Sequence, residues 1–115
     1  MSVNPTPFSI VSAVEDARAV VTVRGELDIA TSPALEEAVH ARLDDGIDVV
    51  LDLRGLEFMD SSGVRVLVTA HARAAETGRR FAVVRPAPDS AVEKILSISG
   101  IDTQLTLLDD PQELG

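Results

Sequence analysis

Ile47 to Leu53 reads Ile-Asp-Val-Val-Leu-Asp-Leu, and this dense aliphatic stretch of strand length constrains the fold more than any other segment. With Val49, Val50 and Leu51 in succession, it puts apolar side chains on both sides of an extended strand. It must be a strand covered on both faces, central in a sheet. The segments on either side of it supply the layers. Phe8 to Val14 and Ala19 to Val23 are β-branched and alternating, and the polar Glu15-Asp16-Ala17-Arg18 between them reads as a hairpin turn. Ser32-Pro33 offers an N-cap followed by a proline at the first helical position. Leu35, Ala38, Val39 and Leu43 then form one stripe of an amphipathic helix that stops near Gly46.

Beyond the aliphatic strand, Gly55-Leu56-Glu57-Phe58-Met59 reads as a link to Asp60-Ser61-Ser62-Gly63. Val64, Leu67, Val68, His71 and Ala75 follow at helical spacing as far as Gly78. Phe81 to Val84 is a further strand, closed off by Pro86 and Pro88. Ser90-Ala91-Val92-Glu93 has the capping-box pattern ahead of Ile95, Leu96 and Ile98, which predicts a third helix ending at Gly100. Gln104 to Leu108 is a last short strand, and Asp110 to Glu113 is too short a stub to promise a stable helix. Such alternation implies right-handed crossovers and an α/β fold: a mixed, mostly parallel sheet packed against amphipathic helices, as one domain over residues 1–115.

Composition removes several classes of function. The 115 residues, 45% of them apolar, can fill a core, and with no Cys neither disulfides nor thiolate metal sites can support the fold. A formal charge of −9 repels a phosphate backbone, and three Phe without Trp or Tyr leave little for base stacking, so nucleic-acid binding is not expected. The start, Met-Ser-Val-Asn-Pro-Thr-Pro, has no leader pattern, and no apolar run approaches membrane-spanning length. A soluble cytoplasmic protein without membrane contact is the expectation.

Catalysis is not expected either. Ser61 or Ser62 as a nucleophile would need a base within hydrogen-bond reach, and the segment is Asp-Ser-Ser-Gly rather than Gly-x-Ser-x-Gly. If one helix carries both Ser61 and His71, ten residues of rise separate them by about 15 Å. His40 belongs to the first helix. No phosphate-cradling loop is present, and Asp44-Asp45-Gly46-Ile47-Asp48 lacks the ligand spacing of a calcium loop. We therefore expect no enzyme, no cofactor, no bound metal and, for want of a long exposed apolar element, a free monomer.

Asp60-Ser61-Ser62 makes a good helix start, and the same geometry presents a hydroxyl at a strand-to-helix turn where a kinase can reach it. Local chemistry leaves both readings open. Gly25-Glu26-Leu27-Asp28, the strand Val49 to Leu53, Leu56-Glu57-Phe58-Met59-Asp60-Ser61-Ser62-Gly63 and Ile98-Ser99-Gly100-Ile101 together resemble the STAS domain of bacterial anti-sigma factor antagonists. The resemblance implies a partner switch. An unphosphorylated antagonist binds an anti-sigma factor that is also a serine kinase and so frees the sigma factor. The kinase phosphorylates the antagonist, a metal-dependent serine phosphatase restores it, and ATP and metal belong to those partners. The phosphoacceptor of the pattern maps onto Ser61, with Glu26, Asp28, Asp60, Ser62 and Gly63 as the matching partner-binding positions. Two features depart from the pattern: the C-terminal helix is reduced to Asp110–Gly115, and Val64 stands where Leu or Ile is commoner. The same domain also serves as a structural subunit of lipid-transport or stress-sensing complexes, and the intact Asp-Ser-Ser-Gly favours the switch over that role.

Overall fold

The computed structural model describes residues 6–114. Its elements in chain order are β1 (Ser9–Glu15), β2 (Arg18–Leu27), α1 (Ser32–Asp44), β3 (Asp48–Asp52), β4 (Leu56–Met59), α2 (Ser61–Thr77), β5 (Phe81–Val84), α3 (Ala91–Ser99) and β6 (Thr106–Leu108), with 3₁₀ turns at Ile101–Thr103 and Pro111–Leu114. The strands lie in the order β1-β2-β3-β5-β6, with β4 paired to β2. The β1–β2 hairpin is antiparallel and every other pairing is parallel. This is the α/β architecture expected from the alternation of strand and helix patterns.

The aliphatic run is central, between β2 and β5, and Val49, Val50 and Leu51 are all fully buried. On one face, Val21, Val23, Val49, Leu51 and Val83 pack with Leu35, Val39, Leu67, Ala70, Val92 and Leu96 of the three helices. The other face holds a smaller cluster of Val50, Ala82, Val84 and Leu108, with Val20 and Leu114 against it. The final 3₁₀ turn delivers Leu114 there, so even a stub too short for an α-helix covers apolar surface. Arg80 Nη1 donates to the Leu114 carbonyl (2.8 Å) and Arg18 Nη2 to Gln112 (3.0 Å), which fasten the turn.

Several expectations need correction. Residues 56–59, read as a link, form β4, and β2 runs on through Gly25 and Glu26 to meet it. The pairs are Gly25 with Leu56, Glu26 with Phe58 and Leu27 with Met59. Four residues with only Leu56 and Met59 buried show no alternation, which hides the strand from a periodicity reading. The stripe expected on α2 is out of phase: Gly63, Val66, Leu67, Ala70 and Ala74 are buried, while Val68, His71 and Ala75 are exposed. Small residues carry the close packing there, and they weigh little in a hydrophobicity pattern.

Cap positions also shift. Thr31, not Ser32, stands at the N-cap of α1, and Ser32 is buried inside the first turn with Pro33. Ser90 Oγ caps α3 by accepting from the Glu93 N–H (3.1 Å), but the Glu93 carboxylate returns to the N–H of Asp89, one residue earlier than in a standard capping box. On α3, Ile98 is 85% exposed while Val92 and Leu96 are buried. The last strand is shorter than Gln104–Leu108, because Ile101–Thr103 winds as a 3₁₀ turn before it.

Candidate functional site

Parallel pairing of β4 with the end of β2 sets two loops side by side. The Asp60 N–H donates to the Leu27 carbonyl (3.1 Å), which ties the start of α2 to the loop carrying Asp28. Gly63 completes the join. A Cβ built there would stand 2.8 Å from Met59 Sδ and 2.9 Å from Leu27 Cδ2, so only glycine lets the first turn of α2 settle onto these side chains. Gly63 is buried, and its place in the site is to seat the helix.

Asp60 is the N-cap of α2. Its Oδ1 accepts from the Ser62 N–H (2.9 Å) and from the Ser62 hydroxyl, and Ser32 Oγ lies 3.3 Å from Ser62 Oγ. The Ser62 hydroxyl bond, helped by the backbone N–H groups of Ser62 and Gly63, holds the Asp60 carboxyl below its ordinary pKa against the opposing effect of burial. A chain Ser32–Ser62–Asp60 thus links α1 to the cap of α2. Ser61, one residue away, is exposed, and its hydroxyl has no hydrogen-bond partner among the described residues. Two adjacent serines therefore differ sharply: one hydroxyl is committed inside the domain and the other is open to solvent.

Asp28 holds its own loop. Its Oδ1 accepts from the N–H groups of Ala30 (3.0 Å) and Thr31 (3.1 Å), and its N–H donates to Thr31 Oγ1 (2.9 Å). The Thr31 hydroxyl in turn lies 2.9 Å from the Glu26 carbonyl. Glu26 itself is exposed on β2 beside Phe58. The structure brings Asp60, Ser62 and Gly63 into direct contact with one another or their neighbours, and places Asp28 and Glu26 on the adjoining strand end without a side-chain bond to Ser61.

Other members of this surface escape a reading of motifs. Ile29, Ser32, Pro33, Glu36, Ser62, Arg65 and Val66 line an open cavity of about 230 Å³ between the β2–α1 loop and α2. Ile29 is 81% exposed and Phe58 42% exposed, two large apolar side chains, one in the β2–α1 loop and one on β4, the strand that leads into α2. An isoleucine in a polar loop was the available signal for the first, and the second was hidden with its strand. Helix α2 runs unbroken from Ser61 to Thr77, so His71 stands about 15 Å of helical rise from Ser61. Among the described residues no group of three or more His, Asp or Glu side chains is arranged to hold a metal ion, and no helix is long and apolar enough to cross a membrane.

Residues 11–109 match the family model described as Mlab, STAS domain. The chain belongs to the STAS domain family. Among relatives of this STAS domain, the anti-sigma-F factor antagonist RsfB of Mycobacterium tuberculosis is 29% identical over 104 residues, covering 90% of this chain and 83% of the relative. An anti-sigma F factor antagonist of Paenibacillus polymyxa is 32% identical over 105 residues, covering 84% of this chain and 85% of the relative. Among solved structures, that of an anti-sigma factor antagonist from Mycobacterium paratuberculosis superposes with a TM-score of 0.82 at 29% identity, covering 93% of this chain and 90% of that one. The STAS domain here thus shares nearly its whole length with antagonists of anti-sigma factors.

Proposed function

We propose that this STAS domain is an anti-sigma factor antagonist, a binding protein without catalytic activity of its own, switched by phosphorylation of Ser61. The observation that carries the reading is the contrast between the two serines. Ser61 offers a free, exposed hydroxyl at the start of α2, whereas Ser62 is engaged by Asp60 and approached by Ser32. A kinase needs the former.

In the unphosphorylated state the surface formed by Glu26, Asp28, Asp60, Ser61 and Ser62, seated from beneath by the buried Gly63, docks on an anti-sigma factor serine kinase, with the exposed Ile29 and Phe58 as apolar anchors. Phosphorylation then follows from proximity. The Ser61 oxygen attacks the γ-phosphorus of ATP held by the kinase, the bond to the β–γ bridging oxygen breaks, ADP leaves and the hydroxyl proton passes to a base of the kinase. The product carries nearly two added negative charges in the centre of the contact surface, and binding weakens. A metal-dependent serine phosphatase then hydrolyses the phosphoester with water, releasing inorganic phosphate and restoring the Ser61 hydroxyl. ATP and metal stay with the partners, and the antagonist works in the cytoplasm and is a monomer when not bound to a partner.

Incubation with candidate anti-sigma kinases and ATP, followed by mass-spectrometric mapping, tests the reading. One phosphate on Ser61, lost in Ser61→Ala, is the expected result. A full phosphate on Ser62 or elsewhere in Ser61→Ala would contradict it.

A further inference from the structure

Arg65 stands four residues after Ser61 on α2, is exposed, and makes no hydrogen bond or ion pair among the described residues. It differs in this from Arg54, Arg73, Arg80 and Arg85, each of which is paired with an aspartate. Residues four apart on a helix present their side chains to one another, with Cβ atoms about 6 Å apart, and an anion N-terminal to a cation is the favoured order. Ser61 and Arg65 are in that order.

The charged groups on the surrounding elements sharpen the point. Asp28 and Glu36 come from the β2–α1 loop and α1, Glu26 and Glu57 from β2 and β4, and Asp60 from the cap of α2. Arg65 is the one cation in the first two turns of α2, and the first two turns of α1 contain none. Glu36, its neighbour along the cavity wall, already accepts from the Thr69 hydroxyl (3.3 Å), and Asp28 Oδ1 is engaged by its own loop. A guanidinium free of other partners and one helical turn after Ser61 can turn onto a phosphate there, whose nearly two negative charges exceed that of any single carboxylate around it.

We infer that Arg65 is the internal cation of the phosphorylated state: on phosphorylation its guanidinium turns onto the Ser61 phosphate and holds it against the first turns of α2. This rests on Ser61 being the acceptor. Arg65 acts as a positioning residue: it fixes the phosphate's direction and offsets one of its charges, so that the phosphoform keeps a defined surface despite the carboxylates around it.

The test installs phosphoserine at position 61 during translation, which makes it independent of any kinase, and titrates the phosphate by phosphorus NMR in the parent chain, Arg65→Gln and Arg65→Lys. The ordinary second pKa is near 6, and a facing cation favours the dianion. The parent should titrate about 0.3 pH unit below Arg65→Gln at low salt, with the gap closing in high salt and largely restored in Arg65→Lys. Coincident titrations, or a Lys variant that behaves as Gln, would overturn the pairing and leave Ser61 as the acceptor untouched. Kinase treatment that leaves Ser61 unmodified would instead remove the reading on which the pairing rests.

Discussion

The two ends of β2 are built on different principles. At its Leu27 end the candidate site is held by buried packing of Gly63 against Met59 and Leu27, and by hydrogen bonds among Asp60, Ser62 and Ser32. At its Arg18 end, about 30 Å away along the strand, the molecule is held at the surface by Arg80 on Asp48 (3.0 Å) and Arg79 on the Gly46 carbonyl (3.2 Å). That end also carries local backbone strain: Asp16 and Ala17 of the hairpin turn both have positive φ, 50° and 66°. The comparison teaches that the site end is closely packed and intolerant of added volume, while the Ser61 hydroxyl beside that packing is exposed. The far end can be altered with little consequence for the site.

Substitutions at each end test this division. Gly63→Ala should have the largest effect on stability, because the new Cβ must displace Met59 and Leu27 in a packed core. A loss of about 1–3 kcal/mol by urea denaturation is expected. Asp60→Ala removes the cap of α2 and leaves the Ser62 hydroxyl without its acceptor, for a loss of about 1 kcal/mol. At the opposite end, Ala17→Gly should stabilise by about 0.5–1 kcal/mol, since Gly adopts the left-handed turn conformation without the Cβ penalty, and partner affinity should not change. Unchanged stability in Gly63→Ala, or altered affinity in Ala17→Gly, would erase the distinction between the two ends.

The smallest effect is a pH dependence. The folded pKa of Asp60 lies below its ordinary value, chiefly through the Ser62 hydroxyl, so the unfolded chain binds its proton first as pH falls. Its contribution is therefore complete above the unfolded value of about 4 and is lost as pH drops through the folded value. Asp60→Asn keeps a capping oxygen and drops the charge. The stability gap between parent and Asp60→Asn should be present at pH 7 and shrink below about pH 4, by a modest amount because the site is in contact with water.

Strong patterns made much of this architecture legible in the chain. Ile47–Leu53 announces a strand buried on both faces, the three amphipathic segments announce helices, and Asp60-Ser61-Ser62 marks the start of α2, where Asp60 is the cap. Where tertiary contact replaced pattern, the reading failed. Strand β4 exists because β2 extends past Gly25 to pair with it, and nothing within Leu56–Met59 says so. The phase of α2 was lost because Gly63, Ala70 and Ala74 are chosen for smallness, while the more hydrophobic Val68 faces solvent. The difference between Ser61 and Ser62 could not be read from two identical side chains. It arises from the position of Ser32, thirty residues away in sequence, and from the direction of one carboxylate.

The central claim is that charge at Ser61 acts on the partner interface and not on the fold. Within the domain, a phosphate at the start of α2 gains about 0.3–1 kcal/mol from the helix, partly offset by the carboxylates nearby. Across an interface, the same charges must be desolvated or set against the partner, at a cost of several kcal/mol where no cation receives them. Isothermal calorimetry of the anti-sigma factor with phosphorylated and unphosphorylated protein, paired with thermal unfolding of both, measures the two effects together. The account predicts at least tenfold weaker binding of the phosphoform, about 1.4 kcal/mol, with a melting temperature displaced by only a few degrees. Equal affinities, or weakened binding that coincides with global unfolding, would contradict it.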